Sequence, residues 1–136
     1  MFLTALDSFY YKPLVKDGHI VKNRVVLQCH IIWETESEAE VVVPVGFEFD
    51  LVSVPWWLGF MAQKLGRHQR AAALHDWLYY RNIGPREWSD RQFLLAMKAD
   101  RVSRVRRWLL WRGVRRVGFA SWLRHSLRIA KEDNEG

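Results

Sequence analysis

Residues 24–34, RVVLQCHIIWE, and residues 40–51, EVVVPVGFEFDL, decide the fold class of this chain. In both stretches a set of apolar side chains recurs every second residue, which is the period of a β-strand with one buried face. The acidic stretch 34–40 predicts the turn that joins the two strands, and Asp17-Gly18 predicts an earlier hairpin. Residues 1–53 are therefore predicted to form mainly strands.

The period of the apolar residues becomes helical after Ser53, which fits an N-cap with Pro55 in the first turn. Further helices are predicted over residues 67–81, 89–99 and 102–130. The helix at 89 would open with a capping box, and the last helix would break near Gly118. Residues 54–130 are thus mainly helical, and 131–136 form an acidic tail. Strands followed by helices predict an α+β fold in which a small antiparallel sheet packs against a C-terminal helical layer.

The composition of the chain indicates a folded, globular protein. The 136 residues are 49% hydrophobic and include eight Trp, which predicts one folded domain over residues 1–136 and excludes a disordered chain. Cys29 is the only cysteine, so no internal disulfide can form. The N-terminus lacks the features of a signal peptide, and no apolar run approaches the ~18 residues of a membrane span.

The positive charge is concentrated at one end of the chain. Residues 101–136 contain ten Lys and Arg against three acids, whereas residues 1–100 contain eleven against twelve. This segment is predicted to meet an anionic partner, although its arginines could equally solvate one helix face. Read as a helix, it places four side chains on one face, an arrangement suited to an anionic membrane surface. They are Arg104, Trp108, Trp111 and Arg115.

A polar cluster on the predicted helices is the candidate for chemistry. His75 shares an inward stripe with Leu78 and Tyr79, and Asp90 shares one with Phe93 on the next helix. Two helices joined by a short connection are antiparallel neighbours, so we expect His75 and Asp90 to meet. A carboxylate that holds one imidazole nitrogen raises the basicity of the other, as a general base requires.

Two further carboxylates could hold a divalent metal beside this base. Asp76 follows His75 and points about 100° around the helix. Asp50 ends the last predicted strand, a common position for functional groups. Each residue also has a structural interpretation: His75 as a core histidine, Asp90 as a carboxylate favoured at a helix start, Asp50 as a turn cap. Ser53 could be a nucleophile or only an N-cap, and Tyr79 a supporting or only a core side chain.

Three ordered motifs resemble a bacteriophage and prophage family known as domain of unknown function 1353. They are FEFDLVSVP at 47–55, RAAALHDWLY at 70–79, and SDRQF at 89–93. The resemblance covers about residues 40–120, with Phe49 and Val52 in place of the family's usual Thr and Ala. It implies a phage or prophage origin and a shared set of Asp50, His75, Asp76 and Asp90. A phage protein of this kind is expected in the host cytoplasm or in the virion. The resemblance does not indicate which activity, if any, the family has.

His75, Asp76 and Tyr79 also resemble the His-Asp-x-x-Tyr of secreted phospholipases of the A-two type. That resemblance implies a His that activates water, an Asp that holds calcium and a distant Asp that orients the His. The chain lacks the glycine-rich calcium loop and the disulfides of those enzymes.

Three functions remain open on this basis. The first is a small hydrolase of lipid or cell-envelope material, with His75 as base and Asp90 as orienting residue. In its metal-assisted form, Asp76 and Asp50 are the ligands of an ion such as calcium. The second is a non-catalytic virion, tail-associated or host-interaction protein. The third is nonspecific nucleic-acid binding through the basic segment, which has no recognisable base-reading motif.

Overall fold

The structure is a computed structural model, and it describes residues 1–50 and 68–135. Within these residues, five strands are followed by three α-helices. The strands are β1 (Tyr11–Lys16), β2 (His19–Leu27), β3 (Ile31–Glu34), β4 (Glu40–Val43) and β5 (Glu48–Asp50). The helices are α1 (Gln69–Arg81), α2 (Arg86–Ala99) and α3 (Arg104–Glu135). The predicted α+β class, with strands first and helices after, is confirmed.

The strands form two antiparallel sheets, one with the order β1-β2-β5 and one that pairs β3 with β4. Both predicted turns are confirmed. Asp17 and Gly18, with φ of 51° and 77°, join β1 to β2 in the left-handed conformation that a tight hairpin requires. The β3–β4 hairpin turns between Glu34 and Glu40, which are the last residues paired across it.

The two long predicted strands are each split in two. The first ends at Leu27 and resumes at Ile31, and the second is interrupted between β4 and β5. Pro44 has no N–H for a ladder, and Gly46 has a left-handed φ of 91°, so the chain bends there. The bend lets β4 pair with β3 while β5 pairs with β2.

The predicted capping box at Ser89 is wrong. Helix α2 begins at Arg86, because Pro85 (φ −57°) starts the helix three residues earlier than expected. Ser89 and Asp90 consequently lie in the second turn, where both are fully buried. The interpretation of Asp90 as a carboxylate favoured at the start of a helix is therefore wrong.

The predicted break at Gly118 is also wrong, because α3 continues through it to Glu135. Residues 131–135 of the predicted acidic tail belong to this helix. A glycine is required at position 118 for a reason other than a helix break. A Cβ placed there would lie 2.8 Å from the hydroxyl of Tyr79, so the glycine allows α1 and α3 to approach.

A single core joins the sheets to the helices. It contains Val25, Trp33 and Phe49 from the strands, Leu74 from α1 and Phe93 from α2, all 3% exposed or less. Partly buried side chains of α3 pack against it. Helix α1 lies at the centre of the helical layer, in contact with α2, α3 and β5.

Candidate active site

The centre of the site is a hydrogen bond between α1 and α2. His75 Nε2 lies 2.7 Å from Asp90 Oδ1, and the two side chains are 7% and 0% exposed. Both lie on the inward stripes of their helices, which are joined by a short turn at residues 82–85. The predicted contact between His75 and Asp90 is confirmed.

Asp90 also accepts hydrogen bonds from two other side chains. The hydroxyl of Tyr79 donates to Oδ1, and Nη1 of Arg115 donates to Oδ2 over 2.8 Å. Burial raises the pKa of Asp90, but the hydrogen bonds from His75, Tyr79 and Arg115 outweigh it and bring the pKa below its ordinary value. Asp90 is therefore an anion, and its charge is balanced by Arg115.

His75 is neutral near pH 7. Burial lowers its pKa below the ordinary value, and the hydrogen bond and charge of Asp90 oppose this only in part. A neutral imidazole that donates from Nε2 to a carboxylate carries its lone pair on Nδ1. Among residues 1–50 and 68–135, Nδ1 has no hydrogen-bond partner. This nitrogen is the candidate base.

His75 lies on the wall of a cavity of about 230 Å³ between the three helices. The described lining residues are Ala72, His75, Asp76, Tyr79, Phe93, Leu110, Val114, Gly118 and Ser121. A larger cleft of about 680 Å³ shares Asp76, Tyr79 and Ser121 with this cavity and has aromatic side chains in its wall. The cavity is thus mainly apolar, and its wall includes the imidazole of His75 and the carboxyl group of Asp76.

Asp76 has an unusual environment for a carboxylate. Burial raises its pKa to about 7, although a weak hydrogen bond from the backbone N–H of Asp50, 3.4 Å from Oδ2, partly opposes this. The carboxylate of Asp50 is bound by Arg24 over 3.2 Å. Asp50 therefore approaches Asp76 through its backbone, while its side chain forms an ion pair.

These carboxylates do not fit a metal centre. No group of three His, Cys, Asp or Glu side chains suited to an ion occurs in the described residues. The remaining stretch, residues 51–67, contains none of these four residue types, so it cannot complete such a set. An ion at Asp76 would have to compete with Arg24 for Asp50, and a calcium site needs about six or more oxygen ligands.

The four residues predicted to bind an anionic surface do not share one exposed face. Arg104 and Trp108 are exposed, and Arg112 stacks 5.0 Å from the Trp108 ring. Trp111 packs on the core, and Arg115 binds Asp90. The face that contains Trp111 and Arg115 turns inward because it meets α1 and α2. Ser53 lies outside the described residues.

The sequence predicts that Arg115 lies on the surface, and it does not predict the hydrogen bond from Arg115 to Asp90. Arg86 was not predicted either: its side chain lies 4.0 Å from Asp90 and donates to the carbonyl of Val114 in α3. The signal in the sequence was the run of arginines from Arg104 to Arg124, a stretch of α3 without acidic residues, which indicates that some of them pair with acids of other elements.

Of three comparisons with known proteins, one gives a match to this chain. The model of a family described as "Protein of unknown function (DUF1353)" matches residues 25–114. The matched range includes Asp50, His75, Asp76 and Asp90, and it ends one residue before Arg115. No curated protein and no solved structure matches the chain.

Proposed function

The chain belongs to this family of proteins of unknown function, and from the pairing of His75 with Asp90 on a cavity wall we propose that it is a small phage-encoded hydrolase of lipid or cell-envelope esters. The observation that carries the proposal is the 2.7 Å contact between Nε2 and Oδ1, which leaves Nδ1 of a neutral histidine with its lone pair. The phage origin rests on the family resemblance.

In the proposed reaction, Nδ1 of His75 takes a proton from water as the water oxygen bonds to the ester carbonyl carbon. The bond from that carbon to the alkoxy oxygen then breaks, and His75 returns the proton to the leaving alcohol. The products are a carboxylic acid and an alcohol. Asp90 orients the imidazole and stabilises its cation, as the orienting carboxylate does in hydrolytic triads. These steps require no metal, in keeping with the lack of a metal-binding set of His, Cys, Asp and Glu side chains among the described residues.

The cavity supports an apolar substrate. Its walls include Ala72, Phe93, Leu110 and Val114, which would contact an acyl chain, and its volume of about 230 Å³ admits only a short part of one. Asp76 lies on the same wall and would contact the polar end of the ester. A phage that must breach a cell envelope meets such esters in membrane lipids.

A non-catalytic role is the second candidate, and one observation favours it. Asp90 of α2 binds His75 and Tyr79 of α1 and Arg115 of α3, so a single carboxylate holds three helices together. In a virion, tail-associated or host-interaction protein this network would serve only to fix the helical layer. Buried polar networks that are fully satisfied do stabilise specific packing.

His75→Gln separates the two roles, because glutamine keeps an amide that can donate to Asp90 but cannot act as a base. We expect it to lower the hydrolysis of p-nitrophenyl butyrate and of phospholipid vesicles at least about 100-fold. His30→Ala, which removes an exposed histidine outside the site, should leave the rate unchanged. The measurements are release of nitrophenol and of fatty acid, with thermal unfolding of each variant.

The non-catalytic role predicts the opposite pattern. In that case the wild type would hydrolyse neither ester above background, and His75→Ala would lose several kcal/mol of stability that His75→Gln largely restores. Equal hydrolysis by wild type and His75→Gln would also overturn the proposed reaction.

A further inference from the structure

The solvent-facing side of α3 exposes an unusual number of large apolar side chains. Val105, Trp108, Phe119, Leu123 and Leu127 are 63%, 50%, 55%, 39% and 62% exposed. Their spacing of three or four residues, continued by the exposed Arg112 and Arg116, places all of them on one helix face. We call these seven residues the α3 face. Isolated exposed apolar residues are ordinary, whereas five on one helix face, in two groups separated by two arginines, mark an interaction site.

The charged residues of the α3 face are all positive. From residue 101 to residue 131 the sequence contains no Asp or Glu. In the part of the chain that the structure describes, Arg112 and Arg116 have no ion pair, and neither do Arg104 and Arg124, which flank the face. By contrast, Arg115 and Arg128 of the same helix are paired with acids.

We propose that the α3 face binds the surface of an anionic lipid bilayer, with the helix parallel to the membrane plane. From Val105 to Leu127 the face extends over 23 residues, about 33 Å at the rise of an α-helix. Apolar side chains would enter the boundary between headgroups and acyl chains, while the arginines pair with lipid phosphates. None of the described helices is long and apolar enough to cross a membrane.

The composition of the face selects this partner over two others. Nucleic acid would satisfy the arginines but leave Val105, Leu123 and Leu127 in water, since phosphate contacts need no apolar row. A second copy of the chain would bury the apolar row but bring Arg112 and Arg116 of both copies together without an acid. A bilayer of anionic lipids accepts both kinds of side chain.

The opposite side of α3 lines the catalytic cavity through Leu110, Val114 and Gly118. A bilayer bound to the α3 face would therefore lie one helix diameter, about 10 Å, from the cavity. The link between docking and substrate supply rests on the proposed function. The docking itself does not, because His75 and Asp90 are not part of the face.

Co-sedimentation of the full chain with vesicles tests the proposal. The vesicles are pure phosphatidylcholine, or phosphatidylcholine with about 30% phosphatidylglycerol, both as non-hydrolysable ether lipids. We expect binding to the anionic vesicles only, weakened in about 0.5 M salt. Leu123→Ser/Leu127→Ser and Arg112→Gln/Arg116→Gln should each raise the half-saturating lipid concentration at least about tenfold.

Matched control variants remove the same types of side chain from a surface outside the α3 face. Val15→Ser/Ile20→Ser takes two exposed apolar residues from the β1–β2 hairpin, and Lys12→Gln/Lys16→Gln removes two positive charges from β1. Both should bind like the wild type, and so should His75→Gln, which makes failure of docking distinguishable from failure of the proposed hydrolysis.

Three results would overturn the proposal. The first is no binding, or equal binding to neutral and anionic vesicles. The second is binding to duplex DNA that Leu123→Ser/Leu127→Ser leaves unchanged, which would assign the charge to nucleic acid. The third is a stable dimer in light scattering that these serines dissociate while vesicle binding is unaffected, which would assign the face to a second copy.

Discussion

At the scale of single residues, the charge balance around Asp90 determines what His75 can do. A buried carboxylate with no cation would hold a proton on the imidazole, since the pair would then carry opposite charges. Burial lowers the pKa of His75, and two guanidinium groups supply positive charge beside Asp90, that of Arg115 at 2.8 Å and that of Arg86 at 4.0 Å. His75 can therefore remain neutral while it is hydrogen-bonded to an anion. Arg115 is a positioning residue for the base in the proposed reaction.

The pKa of Asp76, raised from 3.8 to about 7, predicts how stability depends on pH. Between these values the folded chain holds a proton that the unfolded chain has released, so stability falls as pH rises through this window and levels off above it. Asp76→Asn removes the dependence. We expect no gain at pH 4 and a gain on the order of 2 kcal/mol at pH 8, less than the full shift implies because Asp76 as a residue is only partly buried.

Urea denaturation at the two pH values measures this difference, and Asp7→Asn is the control, because Asp7 is an exposed carboxyl in the 3-10 turn at the N-terminus. Equal stability of Asp76→Asn and wild type at pH 8 would show that burial does not strain the Asp76 carboxylate. A gain accompanied by loss of hydrolysis would be typical of a functional group that costs stability.

A contact in the site could be predicted only where its two residues lie close together in the sequence. His75 and Asp90 are 15 residues apart on helices joined by a short turn, so the helical period alone brings them together. Arg115 is 25 residues from Asp90 on a helix whose inward side is set only by tertiary packing. Every face of α3 contains arginine and apolar residues. The helical period of the apolar residues therefore does not show which face packs against α1.

At the scale of elements, the two glycines of α3 form a natural matched pair. A Cβ at Gly113 would meet nothing within 4 Å, whereas a Cβ at Gly118 would lie 2.8 Å from the Tyr79 hydroxyl. We expect Gly113→Ala to stabilise the protein by about 0.5–1 kcal/mol, the helix propensity of alanine over glycine. Gly118→Ala should lose that gain and destabilise, because Tyr79 must move away from Asp90.

Thermal denaturation of the two variants gives the comparison, and the rate of ester hydrolysis gives an independent measure of the Tyr79 contact. Similar stabilisation by both alanines would mean that α1 and α3 separate at no cost, contrary to a close approach at Gly118.

The elements themselves were predictable where local chemistry sets them. Asp17-Gly18 specifies its turn, and the alternation of apolar residues predicts most of the buried face. It fails at Val45, which lies in the bend after β4 and is 60% exposed. The starting point of α2 was mispredicted because Pro85 competed with the capping-box pattern at Ser89 and prevailed. The pairing of split strands depends on contacts that are distant in sequence, which periodicity does not contain.

At the scale of the whole molecule, the shared core predicts unfolding in one step. Side chains of β2 to β5, α1 and α2 belong to one apolar cluster, and Leu110, Trp111 and Val114 of α3 pack on it. We expect a single calorimetric transition with equal calorimetric and van't Hoff enthalpies. For 136 residues the heat-capacity change should be about 1.6–2.0 kcal/mol/K. Two transitions, with α3 melting separately, would contradict the prediction of a single domain.

The neighbours Arg115 and Arg116 point to different sides of α3, one to Asp90 and the other to solvent. One residue inserted or deleted between Arg104 and Arg115 would rotate everything beyond it by about 100° around the helix axis. The arginine would leave Asp90, Gly118 would leave Tyr79, and the exposed apolar row would turn towards the core. The helix can therefore diversify by substitution but not by a change of length before Arg115, whereas the turns between strands have no such restriction.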